Sequence, residues 1–502
     1  MGRVVRGGKW LFLSQLATSG MLLVRSFVLM RLLTREDFGL WAAIAVSLQL
    51  LRSVSETSVN MVAVQHREGD TPEVLMTAWW FNVLRGLVLG ALLVALAPAL
   101  AGYFREPRLV NLFRLVSVVL LMEGLVSAGV ITAVRGLAFH RLVLVQQGSA
   151  MLAVVSAIVL GLVFRSVLAL VVAEMIRVTL LLVFSFVILP VRVRLAGSIR
   201  MARELWSRSR HLYLAQVFEF LRLEGPVFVV GRVLATAQLG LYRLAFGFGT
   251  LPSVFLTSVV NRIIFPAFAK MQDDRNRLRG ALLRVQRFMV VVVLPVCLGI
   301  AALAPAVAAF GGRETGTTHA SPLLRYAGMV FPLQMFSLGV YATAITSINV
   351  SVLLGLGHLD VIKRLKFLHL VLVAAAVYPL TRYWGIAGAA VTTFLEVPVW
   401  FLAAHANGKR IGCGVREQLK NQLFVLGPAA AMALTVGLLW WVLGRNIVAY
   451  AAGVLLLSPL AYLGILRLGA PHLLRELLQV FRQALNRGPA VAQAEVQKME
   501  VL

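Results

Sequence analysis

Long apolar runs alternate with short charged turns along almost the whole chain, and each run, at about 20 residues, is long enough to cross the hydrocarbon core as a helix. Fourteen can be marked: 10–31, 38–64, 74–101, 109–133, 142–163, 167–189, 212–233, 239–264, 287–311, 324–351, 365–381, 385–406, 421–443 and 447–467. Alternating segments of the kind that build membrane barrels are absent, so the expected fold is an all-α polytopic membrane protein. The longest polar stretches, 190–211 and 266–287, are basic and are expected to contain helices lying along the inner membrane surface. Beyond Pro471, Leu474, Leu477, Leu478, Phe481 and Leu485 recur at helical spacing between Arg475, Gln479, Arg482 and Asn486. That pattern predicts an interfacial amphipathic helix, followed after Gly488 by a disordered end. The longest external loop, 312–323, is too short to hold a catalytic domain.

One stretch recurs. Residues 27–41 and 228–242 align at a constant offset of 201, matching Phe27 with Phe228, Arg31 with Arg232, Gly39 with Gly240 and Leu40 with Leu241, and the same offset carries Gln15 onto Gln216. Apolar segments can match by chance; the shared Gln, Arg and Gly weigh toward two related halves of roughly 200 residues. The expected division is 1–197 and 198–408 for the two halves, 409–467 for two additional helices, and 468–502 for the tail. Gly39 and Gly240 are expected at equivalent external turns, each permitting a tight backbone reversal.

Composition sharpens this picture. The chain has 502 residues and is 60% hydrophobic, against about 45–50% for a soluble domain. Its formal charge of +27 would point to nucleic acid in a soluble protein. Here every Lys (Lys9, Lys270, Lys363, Lys366, Lys409, Lys420 and Lys498) and most Arg fall on one side of the fourteen-run map. The basic excess is therefore the positive-inside signal, with both termini cytoplasmic. The first run is too long for the core of a secretory signal and reads as the first crossing. Two cysteines, Cys297 and Cys413, make no disulfide framework. No phosphate-binding loop, metal-spaced His/Cys cluster or dinucleotide motif is present, so no catalytic residue, metal or cofactor is expected.

The chemistry lies in the charges within the runs: Arg25, Arg52, Glu56, Arg85, Arg114, Glu123, Glu174, Arg177, Glu219, Arg222, Glu224, Arg243, Arg325 and Glu396. Such residues are costly in a bilayer and usually face a cavity. Arg52 can pair with Glu56, Glu174 with Arg177, and Glu219 with Arg222, at i,i+4 or i,i+3. Arg85, Arg114 and Arg325 lie near enough to run ends to snorkel. Arg25, Arg52, Arg222 and Arg243 occupy runs 1, 2, 7 and 8, which open the two halves. Facing one another across a central cavity they would suit a phosphate, since a guanidinium donates paired hydrogen bonds and stays charged. Arg–Glu clasps between helices, with no ligand, are the alternative. Glu56, Glu174, Glu219 and Glu396 are the candidates for a coupling ion, with Arg177 in a charge pair.

Arg31-Leu-Leu-Thr-Arg-Glu-Asp-Phe-Gly39, Leu239-Gly-Leu-Tyr242, Phe265-Pro-Ala-Phe268 with Gln272-Asp-Asp-Arg275, and Gly385-Ile-Ala-Gly-Ala-Ala390 resemble landmarks of the Wzx-like polysaccharide flippases of the multidrug/oligosaccharidyl-lipid/polysaccharide exporter superfamily. Arg35 stands where that family often has Pro. The resemblance implies two six-helix lobes plus two C-terminal helices, alternating access, and an oligosaccharide on a polyprenyl pyrophosphate as cargo, moved to the outer leaflet of the cell inner membrane. Implied partners are that substrate, membrane lipids and other polysaccharide-assembly proteins, and not nucleic acid. A cation-coupled drug exporter of the same superfamily is the alternative function; its chamber should be rich in carboxylates. A membrane glycan-forming enzyme would need a large external loop, and a scaffold would not need buried Arg.

Overall fold

The computed structural model describes residues 18, 20–55, 59–66, 69–136, 138–191, 198–253, 264–311 and 326–469. Every regular element among them is helical. Most of the first run before Gly20, Glu56, the 312–323 loop, Arg325, and the tail beyond Gly469 with its expected interfacial helix and disordered end lie outside the described residues. Among the described residues, eight helical segments are long and apolar enough to cross a membrane, or nine when the bent pair Leu109–Gly124 and Gly129–Arg135 counts as one span. The chain is thus an all-helical, multi-pass membrane protein. It divides into two compact units, Met1–Gly240 and Leu241–Leu502.

The first unit contains α1 (20–32), α2 (Arg35–Ser55), α3 (Val59–Gln65), α4 (Pro72–Phe104), α5 (Leu109–Gly124), α6 (Gly129–Arg135), α7 (Phe139–Phe164), α8 (Leu168–Ile188) and α9 (Ile199–Val233), and α10 (Thr236–Gly249) begins at its end. The charged turn before α2 is a capping box. Thr34 Oγ1 accepts from the Asp37 amide at 3.2 Å, and Asp37 Oδ2 accepts from the Thr34 amide at 2.9 Å, so each side chain satisfies the other's backbone. Asp37 Oδ1 also accepts from the Val167 amide at the head of α8, at 2.9 Å. The Thr-Arg-Glu-Asp landmark is therefore structural: it starts one helix and ties it to another. Small residues let α4 and α5 approach closely; a Cβ on Gly86 would lie 2.7 Å from Leu120 O, and one on Gly124 2.5 Å from Asn82 O.

Gly39 and Gly240 do not reverse the chain. Both lie inside helices, and neither has a positive φ. A Cβ on Gly39 would collide with the Thr236 carbonyl oxygen, and one on Gly240 with the Arg35 carbonyl oxygen. Positions 35 and 236 are themselves 201 apart, so the contact is reciprocal, as across a local twofold axis. These glycines serve helix approach, a packing role that sequence alone does not separate from a turn.

Two stretches expected as separate surface helices are instead continuous with spanning ones. From Ile199, just past its N-cap Ser198, α9 runs unbroken for 35 residues. In the second unit α11 (Phe265–Lys270) is followed, after a turn, by α12 (Arg275–Gly311), 37 residues that begin at the Asp274 cap. As a straight rod α12 would be about 55 Å long, well beyond the hydrocarbon thickness. Hydropathy ends where the arginines begin, but helical hydrogen bonding does not have to.

The second unit continues with α13 (Val330–Gly355), α14 (Leu359–Val391), α15 (Glu396–Ile411), α16 (Val415–Leu423), α17 (Leu426–Leu443) and α18 (Ile447–Gly469). The segment Leu359–Ile411 is 53 residues long, about 80 Å if straight. It is not straight. Gly385, at φ 60° and ψ −142°, breaks α14 in a conformation open to glycine. Ile362 and Leu365 then share a buried cluster with Val399 and Ala403 of α15, so the chain folds back on itself. Gly388 packs onto the Leu380 carbonyl, where a Cβ would collide. The glycines of the Gly385–Ala390 landmark thus make a break and a close approach.

Pro295 and Pro305 lie inside α12. Lacking an amide hydrogen, each leaves the carbonyl four residues earlier without its helical donor; these are Val291 O and Ala301 O. Tyr462 OH of α18 donates to Val291 O at 3.1 Å, and Gln334 Nε2 of α13 donates to Ala301 O at 3.3 Å. Tyr450 OH of α18 donates to the adjacent Ala302 O at 2.8 Å. Inside a bilayer no water can replace such donors. Tyr462→Phe is therefore expected to destabilise the chain by about 1–3 kcal/mol. The measurement is the thermal midpoint in detergent, with the exposed Tyr378→Phe as a silent control.

Candidate functional site

The break between α5 and α6 places a carboxylate at membrane depth. Its backbone is satisfied inside the protein: the Ser127 amide donates to Ser185 Oγ at 3.0 Å, Ser127 Oγ donates to Leu189 O at 3.1 Å, and Trp79 Nε1 donates to Leu125 O at 3.3 Å. Irregular backbone is tolerated at this depth when it is enclosed in this way. Glu123, in the last turn of α5, faces Arg52 of α2 and the pair Glu174 and Arg177 of α8.

The four side chains form a closed ring. Arg52 Nε and Nη2 donate to Glu123 Oε2 and Oε1 at 3.0 and 2.8 Å, and Nη2 reaches Glu174 Oε1 at 3.4 Å. Arg177 Nε and Nη2 donate to Glu174 Oε2 and Oε1 at 2.8 and 2.7 Å, and Nη2 reaches Glu123 Oε1 at 3.2 Å. Each guanidinium grips one carboxylate with its planar fork and touches the other. Arg25 of α1 experiences the Glu174 charge, and its buried Nε has no hydrogen-bond partner. Among the described residues, three guanidiniums gather around two carboxylates. The ring is not sealed: the Arg52 and Arg177 side chains are each 28% exposed, Glu123 21% and Glu174 15%. Charged groups in a membrane protein do not face lipid when a polar space or partner is available, so the exposed edge is expected to face a polar space.

The structure brings Arg25, Arg52, Glu174 and Arg177 together. It adds Glu123, which the sequence placed in a run without a role. Its position beside Gly124, just before the small residues Ser127-Ala-Gly129, was the available signal for a carboxylate at a helix break. The expected Arg52–Glu56 pair lies outside the described residues, because Glu56 does. Arg222 clasps Glu219 one turn away on α9, with Nε to Oε2 at 3.3 Å. Arg243 lies over the Phe246 ring at 5.4 Å. Glu396 is buried against His369, with Nδ1 and Oε2 3.2 Å apart, a partner that sequence spacing did not reveal. Among the described residues no group of three or more His, Cys, Asp and Glu is placed to hold a metal ion.

Long apolar helices around a charged ring define a polytopic helical membrane protein, and its fold has known counterparts. It is similar to the lipid II flippase MurJ in an inward closed conformation, with a TM-score of 0.70 at 14% identity, covering 92% of this chain and 98% of that one. It is also similar to an inward-facing multidrug resistance MATE family transporter of the MOP superfamily, with a TM-score of 0.61 at 14% identity, covering 80% and 98%. At that identity the likeness is one of fold. In sequence the chain is 25% identical over 314 residues to the succinoglycan biosynthesis transport protein ExoT of Rhizobium meliloti (strain 1021), covering 62% of this chain and 63% of that protein. It is 26% identical over 305 residues to the lipopolysaccharide biosynthesis protein WzxC of Escherichia coli (strain K12), covering 59% and 61%. The chain spans a little under two thirds of the length of these two relatives. The model of the polysaccharide biosynthesis protein family matches residues 28–311, more than half of the chain. The chain belongs to this family.

Proposed function

We propose that the chain flips an oligosaccharide carried on a polyprenyl pyrophosphate from the inner to the outer leaflet, with the pyrophosphate drawn to the cationic ring. The observation that carries this reading is the gathering of three guanidiniums, Arg25, Arg52 and Arg177, at one place, with the Arg52 and Arg177 side chains partly exposed. A sugar and a pyrophosphate cannot cross hydrocarbon unaided, and an Arg fork matches phosphate geometry. The transport role named for ExoT and the lipid II flipping named for MurJ support the same direction. Arg222 and Arg243 belong to the proposed cationic path, and Glu56, Glu219 and Glu396 to its charge balance. The architecture that goes with it is fourteen crossings, in two six-helix lobes (1–197 and 198–408) and two further helices, working by alternating access. A cation-coupled drug exporter is the second reading, favoured by the likeness to the MATE fold.

The test is reconstitution of the full chain in vesicles holding a fluorescent polyprenyl-pyrophosphate oligosaccharide. Wild type should accelerate its exposure to an impermeant quencher, and Arg25→Ala, Arg52→Ala, Arg222→Ala and Arg243→Ala should each slow it at unchanged protein content. Transport of cationic drugs with no effect on the glycan lipid would sink the flippase reading.

The proposed orientation has both termini in the cytoplasm. Both native thiols are buried, and burial pushes the Cys413 thiol up to about 12. At pH 7.5 its thiolate fraction is minute, so it should not react with maleimide, and its alkylation should quicken only as pH climbs toward that value. An introduced Asp274→Cys should then be labelled in inverted membranes and stay silent in intact cells. Strong labelling from outside would reverse the topology.

A further inference from the structure

The nine-residue helix α16 is amphipathic the wrong way round for water. Its inner face is polar and hydrogen-bonded to its neighbours. Gln418 accepts from Gln286 Nε2 at 2.8 Å and donates to Cys413 O at 3.1 Å; Asn421 accepts from Arg287 Nε at 2.5 Å and donates to Leu283 O at 2.9 Å; Gln422 accepts from Tyr341 OH at 3.1 Å. Its outer face carries Arg416, Leu419, Lys420 and Leu423, one helical stripe at i, i+3, i+4 and i+7. Leu419 is 41% exposed and Leu423 55%. Glu417, the one carboxylate on the helix, is turned aside into a two-pronged pair with Arg279, at 3.0 and 2.8 Å. Among the described residues Arg416 and Lys420 make no hydrogen bond or ion pair.

The level of this helix is fixed by its neighbours. The spanning segment Leu359–Ile411 ends four residues before α16, and the segment Leu426–Leu443 starts three residues after it. So short a tether keeps α16 at the membrane boundary. There, leucines have acyl chains to enter, and long cationic side chains beside them can reach up to phosphates.

We propose that α16 lies in the headgroup layer and that Arg416 and Lys420 form a binding site for the phosphate of an anionic phospholipid, with Leu419 and Leu423 in the acyl region below. A neutral phospholipid also carries a phosphate, but its ammonium offsets the attraction; the two cations, with Glu417 withdrawn, select for net negative charge. The helix thus acts as a membrane anchor inserted between two crossings, and its polar inner face passes any displacement to α12 through Gln286 and Arg287.

The experiment uses the full chain in vesicles of phosphatidylcholine with phosphatidylglycerol. Nitroxides on Leu419→Cys and Leu423→Cys should meet oxygen several-fold more than an aqueous nickel chelate, and those on Arg416→Cys and Lys420→Cys should fall between lipid and water. In detergent, added phosphatidylglycerol should raise the thermal midpoint of wild type by several degrees more than phosphatidylcholine does. The Arg416→Gln/Lys420→Gln variant should lose that difference, whereas Lys363→Gln, on an exposed cation of α14, should keep it. Four labels equally open to the nickel chelate would place α16 in water, its leucines left for a protein partner, and overturn the proposal. An undiminished preference for phosphatidylglycerol in the double variant would equally overturn it, by locating the headgroup elsewhere.

Discussion

Gly39→Ala and Gly240→Ala are each expected to remove most of the folded protein from the membrane, while Gly247→Ala leaves it in place. The added methyl of the first two meets a backbone carbonyl, Thr236 O or Arg35 O, which cannot rotate aside as a side chain would. Forcing the helices apart costs about 1–3 kcal/mol for one inserted methylene in a packed core, and rigid backbone belongs at the upper end. At Gly247 nothing lies within 4 Å, so alanine there gains helix propensity, by about 0.5–1 kcal/mol. Because the contact is reciprocal, the double variant should be less damaging than the sum of the two, the helices having already separated for the first methyl. Membrane abundance and thermal midpoint of a fluorescent fusion would decide it; equal behaviour of Gly39→Ala and Gly247→Ala would refute the close approach.

Arg52→Ala is expected to cut flipping by roughly one to three orders of magnitude, the worth of about 2–4 kcal/mol of lost charge-assisted bonding. It removes one of the three guanidiniums of the cluster and so lowers its net charge by one. Arg52→Lys keeps the charge without the fork that holds both Glu123 oxygens, and should recover part of the activity. Arg52→Ala/Glu123→Gln brings the net charge of the cluster back to its wild-type value. Recovery in that pair, at normal protein abundance, would show that net charge is what the substrate requires. If the ring is only a clasp, Arg52→Ala should instead lower abundance, because Glu123 loses its two-pronged partner, and Glu123→Gln should rescue abundance rather than rate.

Much of this site was open to sequence reasoning in kind, though not in its pairing. Apolar runs report transfer into lipid, and they gave the helical membrane fold directly. Ionisable residues inside runs stand out against that background, which is why Arg25, Arg52, Glu174 and Arg177 were visible. What a run cannot report is which helix lies opposite. Glu123 is 71 residues from Arg52 in the chain, and only packing makes them neighbours, whereas helical spacing offered Glu56. Helix ends were hidden for another reason. The arginines of α9 and α12 end the hydropathy signal, yet the backbone hydrogen bonds continue through them. Gly39 shows a third limit: glycine is the same letter whether the backbone must turn or another helix must come close.

The proline-freed carbonyls of α12 have a consequence for the order in which the protein can be completed. Tyr462 follows Val291 by 171 residues, which at ribosomal speeds of about 5–20 residues per second is roughly 10–35 s of synthesis. Throughout that interval the nascent helix is already in the membrane while the donor for its kink has not been made. Until α18 arrives, the young chain carries an open polar group that water, a chaperone or the insertion machinery must attend. α18, the last of the described helices, therefore closes a vulnerable period in the life of the nascent chain, and a chain cut short before Ile447 is expected to accumulate less in the membrane than the full chain.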